Sequence, residues 1–590
     1  MSGGRRLEWC GVAIVAVLAA VVLSPVWTRP WGFGWTDWDQ METHRYLADK
    51  TIRLFGQVPF WDPYSCGGHT WWGGFENGTI IVPWLPLYLL APLAVAIRLE
   101  ITLTTIAGVA GAWLLARRFT RSPGASVLVA IVFALNARFA MQLAVGHTWH
   151  LWYAALPWAL FFYDRAIASP APRRDVIGLG ITFALMVWGG AIYPLPHAIV
   201  ILGVYGAALA VSGRTLQPFR LLAIAGAIGV ALSAPRLFPM LDTMRRFPRL
   251  VASNENIDLA RFVAFYTRKA SDPHPAVTPW GWHEFGIYVG WIPFAIMIAS
   301  LFAFRRPRER GLAYAGVLCL LFGFGHVSRF APWALLHAYV PVFKSQHVPT
   351  RWLFPAVLPL LAGAAASAER LLDARSWRPR FEIALLVVCG LVSADVALES
   401  RRVLSGFFSR PLPNVAESVA PYHQDATIPP ELAYPDEDWA PPALPAMRAN
   451  VGLIRCGTFS GQSYLYRDAT GVLPGLGAHG EGDPDYRGET YFQDGAGRAT
   501  IARWTPNAVT VRYEGATPGD TLVLNQNWDP GWRATTGAIV DTHDLVAVRV
   551  TESAGETTFR YQPRFLWLGI VAFFAAIGTL VATRKLKGFA

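Results

Sequence analysis

Residues 5–27 read RRLEWCGVAIVAVLAAVVLSPVW. Two arginines precede an apolar run interrupted only by Glu8 and Ser24. A helix rises about 1.5 Å per residue, so ~20 such residues cross a hydrocarbon layer of about 30 Å. A cleavable secretory signal is the rival reading. Signals carry a shorter apolar stretch and end at a small-x-small site, whereas this run closes on Leu23-Ser24-Pro25-Val26-Trp27. The stretch is therefore expected to be an uncleaved first membrane helix with its arginine end inside.

The remaining chain repeats the pattern. Of 590 residues, 53% are hydrophobic and only 15% charged, against about 25% charged in a soluble domain. That composition excludes a water-soluble enzyme, a disordered chain and a small disulfide scaffold. The 25 tryptophans suit membrane–water boundaries. Further apolar runs lie at about 100–116, 124–141, 151–166, 176–193, 196–213, 220–240, 286–304, 311–325, 351–368, 382–398 and 564–583. With the first, they predict about twelve transmembrane helices, N-in and C-in. Arginine clusters test the count. Arg117/Arg118/Arg121, Arg173/Arg174, Arg214/Arg220, the 305–310 cluster, the 370–380 cluster and the basic tail all fall on the inner side. A further apolar run at 79–97 would break that alternation. Its Pro83, Pro86 and Pro92 instead suit a re-entrant or interfacial segment on the outer side.

Three large pieces then face outward: the first loop (28–99), a loop at 241–285, and residues 399–563. Residues 1–398 form the helical membrane domain and 564–590 the last span with its basic tail. Residues 401–563 hold 19 acids and 13 bases, so this part is net −6 while the rest of the chain is +17. The overall +11 is a positive-inside signature, and no nucleic-acid-binding signature accompanies it. The inner side has no Walker A sequence and no room for a nucleotide-binding domain. Within the outer C-terminal region, 401–500 reads as loops and short elements. Residues 501–562 alternate like strands, as in Ala508–Tyr513 and Leu545–Val550, with turns at Pro518-Gly519-Asp520 and Asp529-Pro530-Gly531. A small antiparallel β-sandwich is expected there. Cys10, Cys319 and Cys389 lie in apolar runs, whereas Cys66 and Cys456 fall outside the membrane, where a disulfide between them is allowed.

The first outer loop carries the candidate chemistry. Residues 35–74 read WTDWDQMETHRYLADKTIRLFGQVPFWDPYSCGGHTWWGG. Residues 40–55 look like an amphipathic helix ended by Gly56. Asp39-x-x-Glu42 reads either as a capping box or with Asp39, like Asp37, as a carboxylate able to take a proton from an acceptor hydroxyl. The Asp37-x-Asp39 spacing also matches metal-binding acids, so a divalent metal stays open. His147 and His150 have a spacing two metal ligands could use.

The Asp pair, the short helix and the following GQVPFWDPYSCGG resemble the YfhO-type bacterial membrane proteins of the GT-C class of integral membrane glycosyltransferases. So do Trp282–Gly290, Phe343–Arg351 and Asn527–Trp532. His347 departs from the family, which often has Arg there. The resemblance covers nearly the whole chain. It implies a GT-C-like helical fold in a bacterial plasma (inner) membrane, with an extracytoplasmic active site under the first loop. It also implies a polyprenyl-phosphate-linked sugar donor, an envelope glycan, lipid or protein acceptor, and an inverting displacement. Asp39 or Asp37 would act as base. Arg351, Lys344 and His347 would hold the departing lipid phosphate, for which a guanidinium fork is suited. Glu284, Tyr288 and Arg45 would complete the substrate site. Plainer readings stand beside these. Arg351 and Lys344 could be snorkelling anchors, Glu284 a partner for a nearby arginine, and Trp528 and Trp532 packing residues rather than glycan platforms. A flippase or transporter for lipid-linked glycans, or a non-catalytic envelope assembly protein, are the alternative functions.

Overall fold

The first run forms the helix Gly3–Thr28. The computed structural model describes residues 3–28, 32–33, 37–74, 78, 82–269, 281–374, 378–407, 410–411, 415–427, 443–454, 477–494 and 497–583. Among these, seven helices are long and apolar enough to cross a membrane: Gly4–Thr28, Leu93–Phe119, Pro123–Ala144, Pro194–Gly213, Gln217–Arg246, Pro349–Asp373 and Phe381–Ser405. The other five expected spans fall on the helices Ala155–Ala168, Arg173–Trp188, Trp291–Ser300, Pro307–Gly323 and Leu566–Ala582, which are shorter. The chain is a polytopic helical membrane protein.

Ion pairs tie the helices together at the arginine-rich end. Asp164 is fully buried between Arg118 (3.0 Å) and Arg308 (3.2 Å) and accepts from the Tyr205 hydroxyl at 2.7 Å. Arg370 meets Glu309 at 2.8 Å, and Arg121 meets Glu369 at 2.7 Å. Charges that sort orientation in the sequence thus also stitch neighbouring helices.

The run at 79–97 divides differently from the expectation. Leu85–Leu90 is a short helix, and Pro92 opens the long helix Leu93–Phe119. Proline suits a helix start because its missing N–H is an orphan there in any case. The second membrane helix thus begins before Arg98 and Glu100, both buried. Those charges make the sequence look as if the helix starts later. Glu100 is neutralised by Arg45 at 2.9 Å and accepts from the Tyr88 hydroxyl at 2.5 Å.

The helix Trp38–Phe55 is not a surface helix with a free polar side. Glu42, Arg45 and Lys50 are buried along with Met41 and Ala48. One side is anchored to the bundle through Arg45. The other meets the C-terminal region, where the Lys50 ammonium donates to the Met447 carbonyl at 2.6 Å. Burial pushes the Lys50 amine down to about 8. The expected cap also moves. Asp37, not Asp39, occupies the N-cap position, and its side chain makes no capping hydrogen bond. The side chain of Asp39 lies outside the described residues.

The C-terminal region contains two four-stranded antiparallel sheets. One has the strand order Ile539–Thr542, Leu545–Arg549, Thr521–Asn527, Thr490–Phe492. The other runs Trp532–Ala534, Gly555–Tyr561, Ala508–Glu514, Arg498–Thr505. Val511, Leu522, Val546, Val548 and Phe559 share one core between them. Along Gly555–Tyr561 the inward residues are Thr557, Phe559 and Tyr561, the period of two that a half-covered strand requires.

The GQVPFWDPYSCGG segment docks this sandwich. Trp61 sits in its core against Trp532 (5.1 Å between ring centroids), and its indole donates to Gln526 Oε1 at 2.8 Å. Asn507 Oδ1 accepts from the Phe60 and Trp61 amides, each at 3.0 Å. Trp532 is therefore a packing residue. Cys66 is disulfide-bonded, and Cys10, Cys319 and Cys389 are free. Cys456 lies outside the described residues. At the bundle, Arg246 at the end of the helix Gln217–Arg246 meets Asp529 of the Asp529-Pro530-Gly531 turn at 3.0 Å.

Candidate functional site

The site lies at the end of the bundle opposite the arginine-rich one, where the first loop meets the turn after the helix Ala137–Ala144. Three contacts fix that meeting. The Asp37 amide donates to the Val145 carbonyl at 3.1 Å, and the Trp38 indole donates to the Leu143 carbonyl at 2.6 Å. Gly146 has φ +86°, and a Cβ there would stand 2.6 Å from the Asp37 carbonyl carbon and closer still to the Trp38 nitrogen. Only glycine combines that backbone angle with that approach. The Gly-His-Thr-Trp-His sequence is thus built around a glycine that lets the next residue, His147, reach Asp37.

His147 Nε2 lies 3.0 Å from Asp37 Oδ2, and the carboxylate side chain stays 23% exposed while the ring is 12% exposed. The other ring nitrogen, Nδ1, faces Gln142 Oε1 at 2.8 Å and Glu284 Oε1 at 3.7 Å. Gln142 Nε2 donates to the His283 carbonyl at 2.6 Å, which turns the amide oxygen toward His147. Both ring nitrogens therefore face acceptors. A neutral imidazole carries one N–H, so His147 donates to Gln142 or to Asp37 according to its tautomer.

Glu284 is the buried hub. Arg351 clamps it with Nε at 2.8 Å from Oε2 and with Nη2 on Oε1. Arg138 Nη2 adds a contact at 3.2 Å, and the Thr350 hydroxyl donates to the Glu284 carbonyl at 2.8 Å. Burial alone would raise the Glu284 carboxyl, but Arg351 above all holds it well below the usual carboxylate range. A buried carboxylate stays ionised only when paired this closely. The faces of the Arg351 guanidinium are covered by Tyr193 (4.3 Å) and Trp149 (4.9 Å).

The structure brings Asp37, Glu284 and Arg351 into one network. His347 is buried beside it, where burial, and then Arg351 and Arg249, push its imidazole well below the usual range. It is neutral near pH 7. Lys344 is exposed on the short turn Pro341–Ser345. Two candidates lie elsewhere. Arg45 is engaged by Glu100 and Tyr88. The Tyr288 hydroxyl donates to Asp395 at 2.5 Å, and Asp395 also meets Lys269 at 2.7 Å. His150 does not accompany His147, because it packs on the rings of Tyr153 (4.8 Å) and Phe354 (4.7 Å). Asp62 accepts from the Tyr64 amide at 2.9 Å and pairs with His69 at 3.4 Å, and Glu76 lies outside the described residues. Among the described residues, the groups with metal-ligating spacing are His423/Asp425/Glu481 and His479/Asp483/Asp485, both in the C-terminal region.

Sequence reasoning passed over Arg138 and Gln142. They stand four apart on one helix face, and a charged residue within an apolar run was the signal available.

No family model and no curated protein matches the chain. Among solved structures, the arabinofuranosyltransferase AftD from Mycobacteria aligns with TM-score 0.46 and 17% identity over 74% of this chain and 31% of that one. The Archaeoglobus fulgidus oligosaccharyltransferase in its apo form gives TM-score 0.45 and 13% identity, covering 75% of this chain and 64% of that one. The same organism's oligosaccharyltransferase AglB, in complex with an inhibitory peptide and a dolichol-phosphate, gives 0.44 and 13% over 76% and 64%. The chain thus spans less than two thirds of each.

Proposed function

We propose that the protein is an integral membrane glycosyltransferase. It moves a sugar from a polyprenyl-phosphate donor to a cell-envelope acceptor on the extracytoplasmic face of a bacterial plasma membrane. The observation that carries this reading is the part-exposed Asp37 carboxylate held 3.0 Å from His147, with Glu284 and its arginines fixed behind. The sequence resemblance set out above supplies the substrate class.

In this reading the acceptor hydroxyl attacks the anomeric carbon. Its proton passes to the Asp37–His147 pair as the new carbon–oxygen bond forms. The bond between the anomeric carbon and the phosphate oxygen breaks, and polyprenyl phosphate leaves with the electron pair. Displacement from the opposite face inverts the anomeric centre. Asp37 is the base. Asp39, two residues on in the sequence, is the alternative base. His147 holds the Asp37 carboxylate in place, Gln142 holds His147, and Glu284, fixed by Arg351 and Arg138, lies behind the ring. Arg351 acts as a positioning residue, because its fork already grips Glu284. Lys344, exposed and cationic, is the group offered to the departing phosphate, while neutral His347 can donate one hydrogen bond.

The test is transfer in proteoliposomes supplied with radiolabelled polyprenyl-phosphate sugars and crude envelope glycan. Removing a general base typically costs about 10²–10⁴-fold, so Asp37→Asn should lower transfer by that factor while inserting normally. Wild-type transfer that Asp37→Asn and Asp39→Asn both retain in full would reject the assignment. Movement of labelled lipid across the bilayer without any transfer would mark a flippase instead.

A further inference from the structure

At the arginine-rich end of the bundle, the helices Pro194–Gly213 and Pro307–Gly323 approach closely and then part. The close point is Gly311, where a Cβ would stand 2.9 Å from the Tyr205 ring. Just beside it a groove of about 340 Å³ opens to the outside. One wall is Val204, Ala207, Ala208 and Val211. These recur three and four apart, so they form one smooth ridge on the helix surface. The other wall is Arg310 and Tyr314, one helical turn apart.

The two walls differ in chemistry in a way that orients an occupant. The apolar ridge runs toward the middle of the helices. Arg310 lies in the first turn of its helix, and Arg214 caps the end of the facing one. Both are exposed. Their neighbours are not in the same state. Arg308, two residues from Arg310, is neutralised by buried Asp164. The side chains of Arg310, Arg214 and Tyr314 have no hydrogen-bond or ionic partner among the described residues. A guanidinium and a phenol at the boundary end of an apolar groove form a site for a phosphate with an acyl chain attached, and basic pockets between membrane helices bind anionic head groups in this way.

We infer that this groove holds one anionic phospholipid, its acyl chain along the Val204–Val211 ridge and its phosphate on Arg310 with help from Arg214 and Tyr314. Charge complementarity selects the occupant. A zwitterionic lipid would bring its own cation against Arg310. The inference is independent of the transferase reading.

Native mass spectrometry of the detergent-purified full chain, titrated separately with phosphatidylglycerol and phosphatidylcholine, tests it. The expected result is a one-to-one phosphatidylglycerol adduct bound at least about fivefold more tightly than phosphatidylcholine, the factor that one interfacial arginine supplies. Arg310→Gln should erase that preference, and Ala208→Phe, which fills the groove, should remove the tight adduct altogether. Equal retention of the two lipids by the wild type would overturn the inference without any variant. So would a phosphatidylglycerol adduct that survives both substitutions unchanged, which is what unspecific snorkelling of Arg310 into bulk head groups would give.

Discussion

Replacing Gly146 by alanine separates the geometry of the site from the stability of the fold. The residue has φ +86°, and an added Cβ would lie 2.6 Å from the Asp37 carbonyl carbon. Two costs follow. The left-handed backbone angle costs a residue with a Cβ about 1–2 kcal/mol. The contact must also open to at least 3.4 Å, which moves the Asp37 backbone by close to 1 Å. Because Asp37 Oδ2 is 3.0 Å from His147 Nε2, a retreat of that size stretches the pair beyond hydrogen-bond range. Misplacing a reacting group by about 1 Å typically costs on the order of 10²-fold in rate. Gly56→Ala is the matched control, since Gly56 has φ +62° with nothing within 4 Å of its Cβ position. It should show the strain without the displacement. The assay pairs thermal unfolding with sugar transfer in proteoliposomes. Gly56→Ala should lose only the cost of the left-handed angle and Gly146→Ala more than that, while only Gly146→Ala should lose transfer by about 10²-fold. Equal transfer by the two variants would refute the reasoning.

Three further outcomes follow from the same contacts. Glu284→Gln leaves the buried Arg351 and Arg138 guanidinia uncompensated and should destabilise the fold by about 3–5 kcal/mol; an unchanged unfolding midpoint would contradict the hub role. Trp61→Ala empties a ring-sized space in the sandwich core, at about 3–5 kcal/mol. Limited proteolysis should then cut the outer C-terminal region before the helices, and uniform resistance would show that the docking is unimportant. Burial raises the Glu489 carboxyl to about 7, even though the Gln424 amide and the Tyr486 hydroxyl donate to it. An acid raised in the folded state keeps its proton while the unfolded chain releases its own, so this group lowers stability as pH rises from about 4.5 to about 7. Glu489→Gln should flatten that part of the stability–pH curve of the outer region, and an unaltered slope would show that another group sets it.

The apolar runs were legible because a bilayer imposes a length on them, and each of the twelve expected spans overlaps a helix, seven of which are long and apolar enough to cross a membrane. Helix starts were less legible where charges were neutralised by residues far away in sequence. Arg45 reaches Glu100 across 55 positions, so Glu100 reads as a boundary when it is an interior partner. The helix over residues 40–55, ended by Gly56, was legible; the burial of Glu42, Arg45 and Lys50 on its polar side was not, for the same reason. The strands at 508–513 and 545–550 were readable, because alternation and short apolar runs are local signals. The docking of Trp61 into that sandwich was not, because Gln526 and Asn507 lie more than 440 positions away. At the candidate site, the acids after the first helix stood out by composition. His147 stood out only as half of a metal-ligand spacing with His150, and Gln142 and Arg138 not at all, because their roles appear only when the turn at Gly146 folds onto Asp37.

The central claim is that the Asp37–His147 pair faces the reacting carbon of a lipid-carried sugar. A structure of the full chain with a non-hydrolysable polyprenyl-phosphonate sugar bound tests it most directly. The anomeric carbon is expected beside the open face of Asp37, with room for one hydroxyl between them and the phosphonate toward Lys344. Sugar density in a different cleft, with the Asp37 carboxylate closed off by protein, would contradict it.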